Sequence, residues 1–281
     1  MSVIGIDVGA TSIKGGKVSE AGVSKFEKVP TNAQGSQEEV MGQIYRLIES
    51  LKDEDLEAIG IGYPSIVDTK TGKVYETTNI PALYEVPLGE IIGDKFKVPV
   101  LVNNDANCWA LGEHYYGKGQ GYENLVALTI GSGLGGGVIA NGKLIAGNNC
   151  GAGEFGEMPY LDARLQDYCS AEFFRKQGLN PEEVFSAAKS GDEKAIKLVE
   201  EFGYHLGKGL AMVVNSVDPE LIVLGGSIAN NYAAFEKAMW ESLEESVYSR
   251  SYGRLKIETS TNPDLPILGA ASLLYDSKKA S

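Results

Sequence analysis

In Asn103-Asn104-Asp105-Ala106-Asn107 a carboxylate stands where an apolar run, residues 98–102, gives way to a stretch carrying Ala106, Trp109, Ala110 and Glu113. The run reads as a buried strand and the stretch as a helix. Asp105 is therefore expected at a strand–helix junction on the carboxyl edge of a sheet, where α/β proteins bind ligands. The unpaired N–H groups and partial positive charge of the helix N-terminus are expected to hold it ionised. Such a carboxylate can accept a proton from a hydroxyl. It can equally do no more than cap the helix, and these residues alone leave both readings open.

A second chemistry is written in glycines. Asp7-Val8-Gly9-Ala10-Thr11 sits between two apolar stretches and reads as a polar turn between strands. Gly131-Ser132-Gly133-Leu134-Gly135-Gly136-Gly137 does the same between residues 125–130 and 138–140, and Leu224-Gly225-Gly226-Ser227 ends a third apolar run. Turns of this kind expose consecutive N–H groups that can cradle phosphate. At Gly225 and Gly226 the plainer alternative, a tight turn needing positive φ, stays open. Gly131, Gly133 and Gly136 satisfy G-x-G-x-x-G, but a hairpin follows where a dinucleotide site needs a helix. Gly112 to Lys118 and Gly137 to Lys143 match G-x-x-x-x-G-K and then place Gly119 and Leu144 where Ser or Thr is required, which excludes both as P-loops.

The elements that must position these residues follow from periodicity. Residues 3–18 read as two strands, extended by a third at 23–29. Ser36 and Glu39 have capping-box spacing ahead of a helix to Lys52, with Met41, Ile44, Leu47, Ile48 and Leu51 as its apolar stripe. A strand at 58–62, a loop at 63–68 and a short helix at 88–95 lead back to the central junction. From Leu125 the strand–glycine turn–strand pattern restarts, with Asn141-Gly142 as a hairpin turn, and this reads as an internal duplication. Helices at 181–190 and 192–217, a strand at 220–224, a helix at 231–248, a strand at 255–259 and a helix from 268 complete the chain. The expectation is two α/β domains around a cleft. The first is residues 1–116, joined by the C-terminal helix 268–281, and the second is residues 117–267.

Composition narrows the class. The 281 residues carry a formal charge of −13, which disfavours nucleic acid or an anionic membrane as partner. Cys108, Cys150 and Cys169 are scattered and odd in number, as in a reduced, cytoplasmic protein. With only His114 and His205 besides, no zinc-type ligand cluster is expected. The chain opens on a strand, and no signal peptide or membrane-spanning run is expected.

Taken together the motifs resemble the ROK family of sugar kinases, a glucokinase-like group within the actin-like (ribonuclease H-like, hexokinase-type) ATPase fold. Asp7-Val8-Gly9-Ala10-Thr11 resembles the family's first phosphate motif, with Ala10 where a second glycine is usual. The run from Gly131 resembles the second, and Leu224-Gly225-Gly226-Ser227 the adenosine motif. Asn103-Asn104-Asp105-Ala106-Asn107 resembles E-N-D-A-N, whose Asp is the catalytic base, and Asn79-Ile80-Pro81 the sugar-contacting N-L-P.

The resemblance implies transfer of the γ-phosphate of ATP to a hexose hydroxyl, with Asp105 as base. ATP would meet Gly9, Thr11, Lys14, Gly131, Ser132, Gly133, Gly225 and Gly226, and Asp7 would help hold Mg²⁺, through water. Sugar would meet Ser65, Asn79, Asn104, Asp105, Glu154, Glu157 and Gln166. A homodimer is expected. Two departures bear on this. Glu157 stands where many ROK kinases have a zinc-binding His, and their C-x-C-G-x-x-G-C is absent, which implies a zinc-free variant. Gln166 replaces a sugar-contacting Glu and adds an NH₂ donor, so a specificity different from that of plain glucose kinases is expected, with glucose or a related hexose or amino sugar as substrate and glucose the first choice. The alternatives are an idle sugar- or nucleotide-binding protein, a polyphosphate-using glucokinase, and a repressor, which would need a DNA-binding domain ahead of Val3.

Overall fold

The computed structural model describes residues 2–19, 21–75 and 79–279; the last two residues of the expected helix 268–281 lie outside them. β1 (Ser2–Val8), β2 (Ser12–Ser19) and β3 (Gly22–Pro30) form an antiparallel meander. α1 (Gln37–Leu51) opens on the expected capping box: the Ser36 hydroxyl accepts from the Glu39 N–H and the Glu39 carboxylate from the Ser36 N–H. Its Met41, Ile44, Leu47, Ile48 and Leu51 are all buried. β4 (Leu56–Tyr63) follows, then β5 (Val67–Asp68) and β6 (Lys73–Val74), a small hairpin where a loop begins in the sequence reading. α2 (Leu88–Phe96), β7 (Val100–Asn104) and α3 (Asp105–Tyr116) lead through the central junction.

β8 (Leu125–Ile130) and β9 (Leu134–Ala140) bracket a turn of only Gly131 to Gly133, because the strand resumes at Leu134 and takes up the remaining glycines. β10 (Lys143–Leu144) returns through Asn141 and Gly142, at φ 52° and 68°, the left-handed pair that a two-residue hairpin of this kind requires. Then come β11 (Pro159–Tyr160), β12 (Ala163–Arg164), α4 (Gln166–Cys169), α5 (Glu172–Arg175), α6 (Pro181–Lys189) and α7 (Glu193–Val217). β13 (Leu221–Gly225), α8 (Tyr232–Glu244), α9 (Ser249–Tyr252), β14 (Lys256–Thr259) and α10 (Leu265–Lys279) end the described chain.

The two five-stranded sheets have the orders β3-β2-β1-β4-β7 and β10-β9-β8-β13-β14. Each is a three-strand meander read backwards, then two strands parallel to its first member. That identical permutation is the duplication in structural form.

The chain divides into two compact units, residues 1–121, 137–152 and 262–281, and residues 122–136 and 153–261. In the first, successive residues of β1 point to opposite faces. Ile4, Ile6 and Val8 pack with Ile44, Leu47 and Ile48 of α1, while Val3 packs with Leu265, Leu268 and Ala271 of α10. α10 lies so close to the sheet and to α3 that a Cβ on Gly60 would sit 1.8 Å from the Ala270 carbonyl oxygen, and one on Gly269 1.6 Å from that of Cys108. The second unit is cored by aromatic rings, with Phe174, Phe185 and Phe235 within 5.3–6.4 Å of Phe202.

Candidate active site

In the first unit the register of the sheet assembles the acidic residues. Asp7 lies opposite Gly62 of β4, and Gly62 opposite Asn103 of β7, so all three share the carboxyl edge of the parallel strands. A Cβ on Gly62 would come within 3.5 Å of the Asp105 Cα; glycine leaves α3's first turn room to reach the sheet edge. Asp7 also pairs in register with Lys14 of β2, whose Nζ is 3.6 Å from its carboxylate. Burial raises the Asp7 pKa, and Lys14 opposes this only in part.

The cap of α3 is Asn104, not Asp105. The Asn104 side-chain oxygen accepts the N–H groups of Ala106 at 2.9 Å and Asn107 at 3.3 Å, and its Nδ2 reaches the Ser65 carbonyl at 3.4 Å. Asp105 is the first helical residue, half-buried, its Oδ1 accepting its neighbour's N–H at 2.9 Å. The backbone N–H groups of the helix end favour the ionised form of Asp105, as expected, but they act against two opposing influences. Burial, and next the negative charge of Asp7, raise its pKa, and the backbone N–H groups do not cancel them. A carboxylate so shifted is a better match for a proton-accepting task near neutrality than an ordinary one.

Behind this pair lies a network the sequence reading did not single out. The Asn103 side-chain oxygen accepts from the Asn104 N–H at 2.8 Å, from Asn107 Nδ2 at 3.0 Å and from the Cys150 thiol at 3.1 Å. It fixes the junction from within. Thr31 is a second omission: its hydroxyl donates to the Gly9 carbonyl at 2.5 Å and its N–H to the Thr11 carbonyl at 3.2 Å, pinning the first glycine turn. Ala10 and Thr11 on that turn are exposed and line a cavity of about 630 Å³ shared with Asn32, Gly35 and Asn79. Ser65 donates to the Tyr75 carbonyl at 2.6 Å.

The second unit holds the other glycine segments. The Gly131 N–H donates to the Gly133 carbonyl at 3.0 Å, and Ala171 N–H to the Gly131 carbonyl at 2.9 Å, which leaves Ser132 exposed at the tip. Gly226, at φ 87°, packs so near β8 that a Cβ would lie 2.4 Å from the Ile130 carbonyl oxygen. Both local requirements for glycine are thus met by the fold, and the same close approach sets the Gly225-Gly226 turn beside the start of the Gly131 turn.

Glu154 and Glu157 flank one short turn and are exposed. Gln166, at the start of α4, donates through Nε2 to Glu157 Oε1 at 2.5 Å, and Arg164 Nη1 holds both Glu157 oxygens at 3.2 Å. Gln166 therefore spends an NH₂ bond on Glu157, and its Oε1 lies 2.8 Å from where a Gly133 Cβ would be. Arg164, which also reaches Asp167 at 3.4 Å, is the cation that composition alone did not draw into this cluster. Among the described residues no three His, Cys, Asp or Glu side chains converge as a metal centre would need. His205 is buried with Tyr160, whose hydroxyl lies 3.0 Å from its Nδ1.

The ROK family model matches residues 3–277. The chain belongs to the ROK family. It is similar to the glucokinase of Halalkalibacterium halodurans, at 31% identity over 266 residues and 80% of each chain. The crystal structure of ROK hexokinase from Thermus thermophilus superposes with TM-score 0.86 at 28% identity, covering all of both chains. That of a ROK glucokinase from Streptomyces griseus, in complex with glucose and AMPPNP, superposes with TM-score 0.78 at 26% identity over 97% of this chain and 99% of that one. The duplicated sheets are those of the actin-like ATPase fold. No described helix is long and apolar enough to cross a membrane.

Proposed function

We propose that this ROK protein is a hexose kinase, transferring the γ-phosphoryl group of ATP to a sugar hydroxyl with Asp105 as general base. The observation that carries the proposal is the junction itself: Asn104 does the capping, and a half-buried carboxylate of raised pKa is held only by local backbone N–H groups among the described residues. The likeness to glucokinases, one of them holding glucose and AMPPNP, supports both substrates.

In this reading the sugar oxygen attacks the γ-phosphorus while the bond from phosphorus to the bridging oxygen of ADP breaks, and the hydroxyl proton passes to Asp105. Phosphoryl transfer asks mainly for positioning and charge stabilisation. Asn104 and the Asn103 network aim Asp105; Gly9 and Thr11 on the first turn and Gly131, Ser132 and Gly133 on the second offer N–H and hydroxyl donors to phosphate; Gly225 and Gly226 allow the adenosine to lie close to backbone. Lys14 stands by Asp7 and adds positive charge. Asp7 fits a role beside Mg²⁺, since it is a partly buried anion that Lys14 compensates incompletely, and a lone carboxylate suits an ion held largely through water. When bound, Mg²⁺ supplies neutralisation of phosphate charge.

On the sugar side the residues to test are Ser65, Asn79 and Asn104 and, independently, Glu154, Glu157 and Gln166. With one Gln166 N–H engaged by Glu157, the pair presents mostly acceptors, which suits a polyol. Glucose is the first substrate to test, and a related hexose or amino sugar the next. ADP release measured over a panel of hexoses and amino sugars, with ATP and with polyphosphate as donor, tests the proposal. Sugar-dependent ADP release is expected; none with any sugar, or turnover from polyphosphate alone, refutes ATP:hexose transfer. The same panel on Gln166→Glu should reorder the sugars, and an unchanged ranking removes Gln166 from the pocket.

A further inference from the structure

The second unit has a cavity of about 720 Å³ at the end of its sheet away from the glycine turns. β8, β13 and β14 run parallel, with Leu221 level with both Leu125 and Lys256. Gly131 and Gly226 follow their carboxyl ends. Tyr122, Glu220 and Lys256 stand at their amino ends, about five residues or roughly 16 Å away. The cavity is therefore separate from the glycine turns of this unit, although the same strands connect the two.

Its lining is unusual for a chain of charge −13. Arg250, Arg254 and Lys256 all face it. Lys256 donates to the Tyr122 hydroxyl at 2.8 Å. Arg250 and Arg254, among the described residues, make no ion pair and no side-chain hydrogen bond, whereas Arg164 and Arg175 both hold carboxylates. Of the two carboxylates in the lining, Glu220 is turned to backbone, its Oε2 accepting the N–H groups of Glu123 at 3.2 Å and Asn124 at 3.0 Å. Asp218 is the other. Tyr248, 83% exposed, closes one side with an uncovered ring. Two guanidinium forks with all their donors unspent, beside a lysine and an aromatic face, are suited to oxygen-rich anions, above all phosphate.

We infer that this cavity is a second binding site, for a small phosphoanion, with Arg250 and Arg254 as its principal donors. The source is either an inorganic di- or triphosphate or an organic phosphate whose carbon part lies on Tyr248. The test is equilibrium dialysis of the full chain with labelled pyrophosphate and, separately, with phenyl phosphate, both with saturating AMPPNP and glucose to occupy the glycine turns. The variants are Arg250→Ser/Arg254→Ser and, as a charge-matched control on exposed helix surface, Lys194→Ser/Lys197→Ser. Pyrophosphate should bind wild type and control alike and at least about 10-fold more weakly to the arginine variant, with the same thermal midpoint in all three. A further loss for phenyl phosphate in Tyr248→Ala assigns the organic source; equal binding assigns the inorganic one. Equal pyrophosphate binding in the arginine and control variants overturns the inference, as does no binding to wild type. A concentration-dependent sedimentation shift abolished by the arginine variant overturns it too, since the face would then be an interface between copies of the chain.

Discussion

Replacing Asn104 and Asp105 one at a time separates capping from chemistry at α3. Asn104 accepts two backbone N–H groups, so Asn104→Ala leaves two donors of the first turn without that partner. Loss of such a cap costs about 1 kcal/mol, within a range of about 0.5–2. For a chain of this size that lowers the thermal midpoint by roughly 2–4 °C. Asp105→Asn should behave in the opposite sense. Its folded pKa is raised by burial and by Asp7, so the ionised form is disfavoured on folding. That penalty is absent below the unfolded pKa of about 3.9, grows through the interval up to the raised folded value, and is complete above it. A neutral isostere escapes it, so at pH 7.5 Asp105→Asn should melt at or above the wild-type temperature, and the difference should vanish at acid pH. Thermal unfolding by circular dichroism without ligands reads both variants. If Asp105→Asn loses as much stability as Asn104→Ala, Asp105 is a structural cap and the reasoning fails.

Three further outcomes follow from the same geometry. The acid limb of kcat/KM for the sugar against pH should fall with an apparent pKa above the ordinary aspartate range, and in the residual activity of Asp7→Asn it should move to lower pH, because the nearby negative charge is gone; a limb that stays put disconnects the two carboxylates. Gly226→Ala should lower stability by at least about 1–3 kcal/mol from the positive φ alone, seen as a lower midpoint or insoluble protein, while wild-type stability would contradict the packing against Ile130. Thr31→Val removes the hydroxyl held by the Gly9 carbonyl and should raise KM for ATP more than it changes KM for sugar; an unchanged ATP KM would take Thr31 out of the phosphate turn.

Much of this architecture was legible because it rests on local patterns. The capping box at Ser36 and Glu39, the Asn141-Gly142 turn and the restart of strand–glycine turn–strand at Leu125 depend on neighbours in sequence, and they carried through to the duplicated sheet order. The upward shift of the Asp105 pKa was not legible, for a definable reason. The helix end is visible in the sequence, but the burial and the charge of Asp7, nearly a hundred residues away, arise only when β1 and β7 flank β4. The same holds for Gln166. Its extra donor is evident from its identity, whereas its engagement by Glu157, itself clamped by Arg164, requires the fold around β12 and α4. Thr31 gave no sequence signal, and Asn103, although part of the motif, gave no sign of the network it holds, since their work is to hold backbone and side-chain atoms already assigned to other residues.

The central claim is that Asp105 takes the proton of the sugar hydroxyl, and steady-state kinetics of Asp105→Asn with ATP and the preferred sugar tests it most directly. The account predicts a fall in kcat of about 10²–10⁴-fold, with sugar affinity by direct titration and thermal stability retained. Turnover near the wild-type rate in a folded, sugar-binding Asp105→Asn protein would contradict it.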